Sequence, residues 1–362
     1  MIHRSRRVVA FAAPMVAGLL VAAAPSPALL EAAMHGRTVP AMALVIIRHG
    51  KIVEEAVRGV RSSVDVAPAR RADLWHIGSD AKAMTATMIA RLVERGILSW
   101  DAPLERLLPE LRTEMDPGYR KVTLRELLSH RAGLHDEIDS DVYEAFYSDR
   151  RPLHDQRLAY VRMALKSPPA YPPGTDARYS NRGTIIAEDA TGLSYEALMQ
   201  REVFGPLDIR SAVFTPTRPG DLTGHEGGKP QFGPHADNPP VDRPAGEVRL
   251  TMDDWARFAI DQMEGERGRG KLLKAESYYE LHTGQGGTIY GLGWGVRPTL
   301  DGVDGRFLTH GGSNGCWLAR IVLAPDTEDG FLITANSADG GADKAEAEIE
   351  TVLVPTLGRA GR

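Results

Sequence analysis

The sequence has few of the features that mark disulfide-stabilised, repetitive or nucleic-acid-binding proteins. Its 362 residues include a single cysteine, Cys316, so no disulfide can form within the chain and stability must come from a hydrophobic core. Aromatic residues make up only 6%, and no internal repeat is present. The net charge is -5 and no basic run follows the first seven residues, which argues against nucleic-acid binding. With 43% hydrophobic and 25% charged residues, the composition is that of an ordinary globular protein.

The first 28 residues have the pattern of a secretory signal peptide. Arg4, Arg6 and Arg7 precede the apolar stretch 8–24, and small residues follow as far as Ala28. A proline and a glycine interrupt this stretch, and its length of about 17 residues is marginal for a membrane span. We therefore predict a signal peptide over residues 1–28, export to the periplasm or the extracellular space, and no stable membrane span in the mature form.

Strand patterns occur at both ends of the chain. Residues 42–48 and 52–60 alternate as two strands joined at His49-Gly50, a hairpin signal, and four more strand-like segments follow residue 289. The stretch 100–283 shows capped helices and no convincing strand. This order predicts an α/β (α+β) fold, in which an antiparallel sheet from both chain ends is flanked by helices and closed by an inserted, mainly helical domain.

The domain organisation follows from this order. We expect residues 29–78 and 284–362 to form the sheet domain, and residues 79–283 to form the mainly helical domain. A functional site is expected in the cleft between the two parts. The Gly/Pro-rich loop 216–246 has a length that is typical of a functional rim. Nothing in the sequence indicates an oligomeric state.

The first candidate motif is Ser79-x-x-Lys82, which opens a predicted helix over residues 79–95. Three residues apart on a helix, the two side chains emerge on one face, so the amine can reach the hydroxyl. A neutral serine needs an adjacent base, and lysine serves as one when its pKa falls from about 10.4 toward roughly 7–8. Unpaired N–H groups at the helix start can also stabilise an oxyanion.

Two further motifs lie far from the first in the sequence. Tyr179-x-Asn181 follows a proline-rich turn and precedes a predicted helix. A phenol can relay a proton, and an amide can bind a substrate carbonyl or hold the lysine. His310-Gly311-Gly312 ends a predicted strand, where glycines would allow a substrate backbone to approach closely.

Taken together, the three motifs resemble those of the serine β-lactamase and penicillin-binding family, whose signature is Ser-x-x-Lys, Ser-Asp-Asn and Lys-Thr-Gly. The match is nearest to the branch with Tyr-x-Asn as second motif. That branch contains class C β-lactamases, D-Ala-D-Ala carboxypeptidases, D-aminopeptidases and esterases. The resemblance extends over nearly the whole predicted mature chain and includes these segments: 77–79, 127–130, 173–174, 244–246 and 309–312.

The resemblance implies a β-lactamase-related serine hydrolase that forms an acyl-enzyme. Ser79 would be the nucleophile, and Lys82 and Tyr179 would share the acid/base work, with the choice of general base left open. Asn181 would bind a substrate carbonyl or the lysine. No motif calls for a metal or an organic cofactor. The expected partner is a small-molecule or short-peptide substrate.

The third motif departs from that of β-lactamases. The resemblance assigns substrate contacts to His310, Gly311 and Gly312, and an oxyanion-hole N–H to Ser313 beside that of Ser79. His310 stands where β-lactamases usually have lysine, and an imidazole, largely neutral near pH 7, binds a carboxylate less strongly than an ammonium. We therefore expect an ester or D-amino-acid peptide substrate first, a cell-wall stem peptide second and a β-lactam third.

Other interpretations start from other residues. A Gly-x-Ser-x-Gly pattern around Ser313 matches the nucleophile elbow of α/β-hydrolases, but a strand pattern follows it and no histidine occurs after His310. Cys316 could be a nucleophile, but a small apolar residue at the start of a strand is the favoured explanation, because no base lies near it in a suggestive pattern. The polar segment 130–141 could bind a metal, but its histidines are five apart, off the four-residue helical step. We expect a solvated loop there, with His130 satisfied by backbone.

A functional alternative of another class is a non-catalytic binding protein with the same fold, which would recognise cell-wall fragments or a protein partner. Such a protein has no need for Ser79, Lys82 and Tyr179 together. The sequence therefore favours an enzyme.

Overall fold

The computed structural model describes residues 25–135 and 140–357. The strands in these residues are β1 (Ala41–Arg48), β2 (Lys51–Gly59), β3 (Trp75–His76), β4 (His225–Glu226), β5 (Lys229–Pro230), β6 (Arg249–Leu250), β7 (Gly295–Leu300), β8 (Val303–Ser313), β9 (Leu318–Ala324) and β10 (Asp329–Ala335). The α-helices are α1 (Ser26–Met34), α2 (Ala81–Glu94), α3 (Leu104–Leu107), α4 (Leu124–Leu128), α5 (Ser140–Ser148), α6 (Leu153–Ala164), α7 (Asn181–Asp189), α8 (Tyr195–Met199), α9 (Arg243–Gly246), α10 (Met252–Gly265), α11 (Ala275–Leu281) and α12 (Ala342–Leu353).

One six-stranded antiparallel sheet organises the molecule, in the order β2-β1-β10-β9-β8-β7. The first and last long strands pair directly, with Met42 opposite Ala335. His49 and Gly50 join β1 to β2 with φ angles of +49° and +71°, the left-handed conformation that a tight hairpin requires at both positions. The predicted antiparallel sheet built from both chain ends is confirmed.

Alternation along β1 separates the two faces of this sheet. Met42, Leu44 and Ile46 belong to a core shared with α1 and α12, whereas Val45 and Ile47 belong to a larger core shared with the helices of the chain's middle. A period of two in side-chain direction produces this division. Helices thus cover both faces of the sheet, and the larger core lies on the face that carries the site.

The larger core crosses the predicted domain boundaries. It contains Val45 of β1 and Leu323 of β9 together with Met84 and Met88, which are two of the buried residues of the helix predicted over 79–95. Helix α10 also packs on β1. The division into residues 29–78, 79–283 and 284–362 stays a prediction, because the sheet and the inserted helices share one continuous hydrophobic core.

The N-terminal helix is packed against the sheet domain. Leu30 and Ala33 of α1 are buried in the core beside α12, and the backbone N–H of Ser26 donates to Glu54 Oε1 at 2.8 Å. The predicted signal-peptide boundary at Ala28 falls within the first turn of this helix, while residues 1–24 lie outside the described residues. Within the described ranges, every helix is too short or too polar to cross a bilayer.

Three details differ from the sequence prediction. The short strands β4, β5 and β6 lie in the stretch where no strand was expected, and β8 begins at Val303 instead of Phe307. The strand predicted from Tyr290 begins only at Gly295. Before this point Gly293 has a φ of +77°, which does not fit a regular strand. Gly293 also lies against the backbone of Lys82, where a Cβ would be only 2.7 Å from the Lys82 carbonyl oxygen.

Candidate active site

Ser79 lies in a 3-10 turn between β3 and α2, pressed against the end of β8. Gly78 has a φ of +50°, and a Cβ there would lie 2.4 Å from Ser313 N. A Cβ on Gly312 would lie 2.0 Å from the carbonyl oxygen of Ile77. Only glycine allows backbones to approach this closely. The two glycines therefore hold the partly exposed Ser79 beside the third motif.

Lys82 lies one turn along and is almost completely buried, with 1% of its surface exposed. Its Nζ lies 2.9 Å from Ser79 Oγ, 2.6 Å from Asn181 Oδ1 and 2.7 Å from the carbonyl oxygen of Ala245. The structure thus brings Asn181 and Ala245, which lie 99 and 163 positions after Lys82, to the same amine as Ser79.

Burial lowers the pKa of Lys82 to about 7, although the carboxyl groups of Asp242 and Asp80 act in the opposite direction. A neutral amine has two hydrogens and one lone pair. The two nearer oxygen atoms, on Asn181 and Ala245, accept those hydrogens. In this neutral form the lone pair is left for the Ser79 hydroxyl, 2.9 Å away, which can donate its proton.

Tyr179 completes the trio of predicted catalytic residues. Lys82 Nζ lies 5.0 Å from the centre of its ring, which is about half exposed. Burial of the hydroxyl end raises the pKa of Tyr179 above its ordinary value, while a hydrogen bond with Ser79 acts in the opposite direction. The phenol is therefore protonated at neutral pH and lies within hydrogen-bonding reach of the Ser79 hydroxyl.

Ala245 belongs to the candidate site but was not predicted from the sequence. The segment 244–246 contributed to the resemblance, but no motif predicts that its backbone carbonyl holds the amine of Lys82. The short helix α9 fixes this carbonyl, and the preceding one, of Pro244, accepts a hydrogen bond from Thr85 Oγ1 at 2.7 Å. Thr85 lies one turn after Lys82 on α2. Hydrogen bonds from Lys82 and Thr85 therefore join α2 to α9 at two points.

The backbone nitrogen atoms of Ser79 and Ser313 lie where the Ser79 turn and the end of β8 approach each other closely. Ser79 N lies 3.0 Å from the ideal Cβ position of Gly312, and Ser313 N lies 2.4 Å from that of Gly78. The predicted oxyanion-hole donors are therefore on neighbouring backbones, at the place where the nucleophile turn meets β8. Gly311, on the opposite face of the strand, is exposed and is next to Arg320 of β9.

His310 is brought to the site but is buried, with 6% exposed. Its Nδ1 lies 3.0 Å from the carbonyl oxygen of Gly311 and 3.2 Å from Asp80 Oδ1, and its Nε2 lies 2.9 Å from the hydroxyl of Tyr290. Because Nδ1 faces two acceptors, this nitrogen carries a hydrogen. Both ring nitrogens already have protein partners, so the predicted contact of His310 with substrate would need the ring face or the loss of a partner.

Asp80 and Tyr290 were not predicted. Asp80 is one of the unspecified positions of Ser79-x-x-Lys82, and its side chain is buried between the nucleophile turn and β8. Burial raises the pKa of Asp80, whereas His310 beside it acts to lower it. An acidic residue directly after the serine is the signal that could have indicated a partner for His310.

His130 supports the ring of Tyr179 from behind. It is buried with a φ of +60°, and its Nδ1 accepts a hydrogen bond from the backbone N–H of Ser180 at 3.2 Å. Its ring centre lies 4.5 Å from those of both Tyr179 and Tyr290. Burial lowers the pKa of His130 well below its ordinary value. The expected backbone partner is present, and the ring additionally fixes the second motif.

The competing interpretations find little geometric support. Ser313 is followed by the strand β9 and not by the helix that a nucleophile elbow requires, and burial raises the pKa of the Cys316 thiol to about 12. Among the described residues, no group of three or more histidine, cysteine, aspartate or glutamate side chains could hold a metal. Residues 136–139 of the polar segment 130–141 lie outside the described residues.

Comparison with known proteins places these residues in a family context. A family model described as Beta-lactamase matches residues 27–354. The chain is 30% identical to Esterase EstB of Burkholderia gladioli over 201 residues, which cover 53% of this chain and 51% of EstB. It is 21% identical to Protein flp of Staphylococcus aureus (strain MW2) over 336 residues, 87% of this chain and 63% of that protein. The chain thus spans about half to two thirds of these curated relatives.

Solved structures share the fold. The octameric penicillin-binding protein homologue from Pyrococcus abyssi superposes with a TM-score of 0.73 at 23% identity, over 91% of this chain and 76% of that one. SurE superposes with a TM-score of 0.72 at 25% identity, over 93% of this chain and 75% of that one. The resemblance found in the motifs therefore extends to the whole described architecture.

Proposed function

The chain belongs to the Beta-lactamase family, and from this premise we propose that it is a serine hydrolase that acts through a covalent acyl-enzyme. One observation carries the proposal. The buried amine of Lys82 lies 2.9 Å from Ser79 Oγ and has two further acceptors, Asn181 Oδ1 and the carbonyl oxygen of Ala245, so that in its neutral form both hydrogens have acceptors and the lone pair is left for the serine proton. This arrangement makes a weak nucleophile reactive near neutral pH.

Acylation begins when Ser79 Oγ attacks the substrate carbonyl and its proton passes to Lys82. The carbonyl becomes an oxyanion, which the backbone N–H groups of Ser79 and Ser313 stabilise. The phenol of Tyr179 donates a proton to the leaving alcohol or amine and recovers one from the Lys82 ammonium. The bond to the leaving group breaks, and the acyl group stays on Ser79.

Deacylation reverses these roles. A water molecule attacks the acyl carbonyl and gives up a proton to the Lys82–Tyr179 pair, and the ester bond to Ser79 Oγ breaks. The proton returns to Ser79, so the enzyme is regenerated and one water is consumed for each bond hydrolysed.

We propose an ester, amide or D-amino-acid peptide as substrate, in preference to one whose recognition depends on a carboxylate at the third motif. His310 offers no free N–H there, and the buried carboxyl of Asp80 lies 3.2 Å behind it. A lysine ammonium would attract an anionic group at this position, whereas the His310–Asp80 pair does not. The similarity to an esterase supports the same order. A D-Ala-D-Ala carboxypeptidase or class C-like β-lactamase is the alternative.

The test is covalent labelling with a fluorophosphonate, followed by intact-mass measurement and peptide mapping. We expect one adduct per chain, located on the peptide that contains Ser79, and none on the Ser79→Ala variant or on heat-denatured protein. An intact, folded wild type that stays unlabelled while a related enzyme reacts would favour the non-catalytic binding protein. An adduct on Ser313 or Cys316 would give the nucleophile a different identity.

Turnover of three substrates tests the order of substrates. The candidates are nitrocefin, a short-chain nitrophenyl ester and a D-Ala-D-Ala peptide, compared by kcat/KM. We expect the ester to give the largest value. If nitrocefin did so by a wide margin, the substrate order would be overturned while the acyl-enzyme mechanism would stand.

We also propose that the chain is exported and that its signal peptide is removed. The basic, apolar and small-residue pattern of residues 1–28 supports this proposal. N-terminal sequencing of protein recovered from the periplasm or medium of an expressing bacterium tests it. Recovery only from the cytoplasm, with residue 1 intact, would contradict it.

A further inference from the structure

A buried carboxylate links the two backbone segments that carry the proposed oxyanion-hole amides. Asp237, in the loop 216–246, is 7% exposed and lies outside every motif that the sequence analysis identified. Its Oδ1 lies 2.9 Å from His76 Nε2 and 3.1 Å from Asn314 Nδ2. His76 precedes Ser79 by three residues, and Asn314 directly follows Ser313.

The hydrogen bonds of His76 determine its tautomer. Its Nδ1 accepts a hydrogen bond from the backbone N–H of Gly78 at 3.0 Å, so the ring hydrogen is on Nε2 and is donated to Asp237. The ring is 1% exposed and packs against Trp317 with 6.4 Å between ring centres. The position of the Gly78 amide, one residue before the nucleophile, therefore depends on the carboxylate through a rigid, buried ring.

Asn314 makes the corresponding link on the other side. Its Nδ2 donates to Asp237, and its Oδ1 accepts from the backbone N–H of Cys316 at 3.1 Å. These two bonds fix the chain just after β8, where it leaves the sheet. The backbone N–H of Asn238 also donates to Asp237 Oδ1, at 2.9 Å, and holds the carboxylate in its own loop.

Charge favours the same arrangement. Burial acts to raise the pKa of Asp237, but His76, Asn314 and the Asn238 N–H together hold it below its ordinary value. The group is therefore a carboxylate at neutral pH. Each hydrogen bond that it accepts is stronger than one to a neutral acceptor, because the acceptor is negatively charged. The link is buried and is not shared with Lys82, whose hydrogen-bond partners are Ser79, Asn181 and Ala245.

We propose that Asp237 is a positioning residue that sets the spacing of the Ser79 and Ser313 amides by tying His76 to Asn314. This inference rests on the proposed acyl-transfer function. A hole whose two N–H groups are misplaced loses stabilisation of the transition state more than binding of the substrate, so kcat is affected and KM is not.

The experiment compares Asp237→Ala, Asp237→Asn and Asp254→Ala with wild type. We measure kcat and KM on a nitrophenyl ester, inhibition by phenylboronic acid, whose tetrahedral adduct places an oxygen in the hole, and the melting temperature. Asp254 is the matched control, because it is also a buried carboxylate that accepts backbone hydrogen bonds. Its Oδ2 accepts from the N–H groups of Arg210 at 2.9 Å and Ser211 at 2.8 Å, and it contacts none of Ser79, Lys82 and Tyr179 in these bonds.

For Asp237→Ala we expect kcat to fall about 100-fold, phenylboronic acid to bind more weakly in parallel, and KM to change little, since losing one hole donor costs about 10²–10³ in rate. Asp237→Asn keeps an oxygen for the donors and should recover most of the loss. Asp254→Ala should lower the melting temperature to a similar extent and leave kcat within about twofold.

A second comparison uses non-additivity. Because Asp237 and Asn314 belong to one link, the double variant Asp237→Ala/Asn314→Ala should cost no more in kcat than about the worse single variant. Full kcat and full boronate affinity in a folded Asp237→Ala protein would overturn the positioning role alone. A wild type without turnover and without a Ser79 adduct would overturn the proposed function and this inference with it.

Discussion

Asn181 Oδ1 lies 2.6 Å from Lys82 Nζ, nearer to the amine than the serine hydroxyl at 2.9 Å. A neutral acceptor at this distance satisfies one amine hydrogen without adding negative charge. Asn181→Asp would place a carboxylate there and raise the pKa of Lys82 by about 1–3 units. We expect kcat/KM at pH 7 to fall at least about tenfold, with partial recovery as the pH is raised. Asn181→Ala, which adds no charge, is the control, and an equal pH dependence in both variants would contradict this explanation.

The activity of the wild type should depend on pH through Lys82. Its pKa is lowered to about 7, and in the proposed mechanism the neutral amine is the form that accepts the serine proton. As the pH falls through this value the amine becomes protonated, so kcat/KM should drop about tenfold per pH unit below about 7 and be constant above it. The pKa of Tyr179 is raised, so its phenol should cause no decline up to about pH 10. A rate profile that is flat between about pH 5 and 8 would exclude Lys82 as the base.

Gly312→Ala should remove activity because the added Cβ would lie 2.0 Å from the carbonyl oxygen of Ile77. The nucleophile turn and β8 would have to separate, and with them the two amides of the hole. We expect kcat/KM to fall more than about 100-fold. Gly311→Ala is the matched control for folding, since its Cβ meets only the flexible Arg320 guanidinium at 3.4 Å. Measured by thermal unfolding, the Gly311 variant should be close to wild type and the Gly312 variant should be less stable.

The free energy of unfolding should depend on Glu202, whose carboxylate contacts arginines at the C-terminal end of α2. Glu202 is buried and accepts hydrogen bonds from Arg91, Arg95 and Arg201 at 2.5–2.9 Å. Burial acts to raise its pKa, but these arginines hold it below the ordinary value. We expect Glu202→Ala to lower the free energy of unfolding by about 3 kcal/mol at pH 7, measured by urea denaturation.

The pH dependence of this loss provides its control. Because the folded pKa of Glu202 is the lower one, its contribution is present above its unfolded value of about 4.3 and is lost as the pH falls through the folded value. The difference between wild type and Glu202→Ala should therefore shrink in acid. A difference that stays constant down to about pH 3 would show that packing, and not charge, is responsible.

Local patterns predicted the elements that the chain builds from neighbouring residues. The His49-Gly50 hairpin, the helix that carries Lys82 and the strands after residue 300 are encoded by alternation, helical spacing and turn residues. The Ser79–Lys82 contact also follows from helix geometry alone. These features were predictable because each depends on residues only a few positions apart.

Contacts between distant segments were not predictable in the same way. The carbonyl of Ala245 meets Lys82 across 163 positions, and Asp237 meets His76 across 161. A backbone carbonyl has no residue-type signal, and an aspartate in a Gly/Pro-rich loop is indistinguishable from a solvated one until the loop is packed. The position of His310 was predicted, but its burial between Asp80 and Tyr290 depends on packing that no spacing encodes.

The contact between the Ser79 turn and β8 determines when the site can first assemble. While a ribosome is still making the chain, Ser79 and Lys82 emerge long before Ser313, and the strand against which their turn must press does not yet exist. Under the proposed mechanism, a nascent chain would carry Ser79 without the backbone amide of Ser313 beside it, and reactivity would arise only once β8 has been made and has packed against this turn.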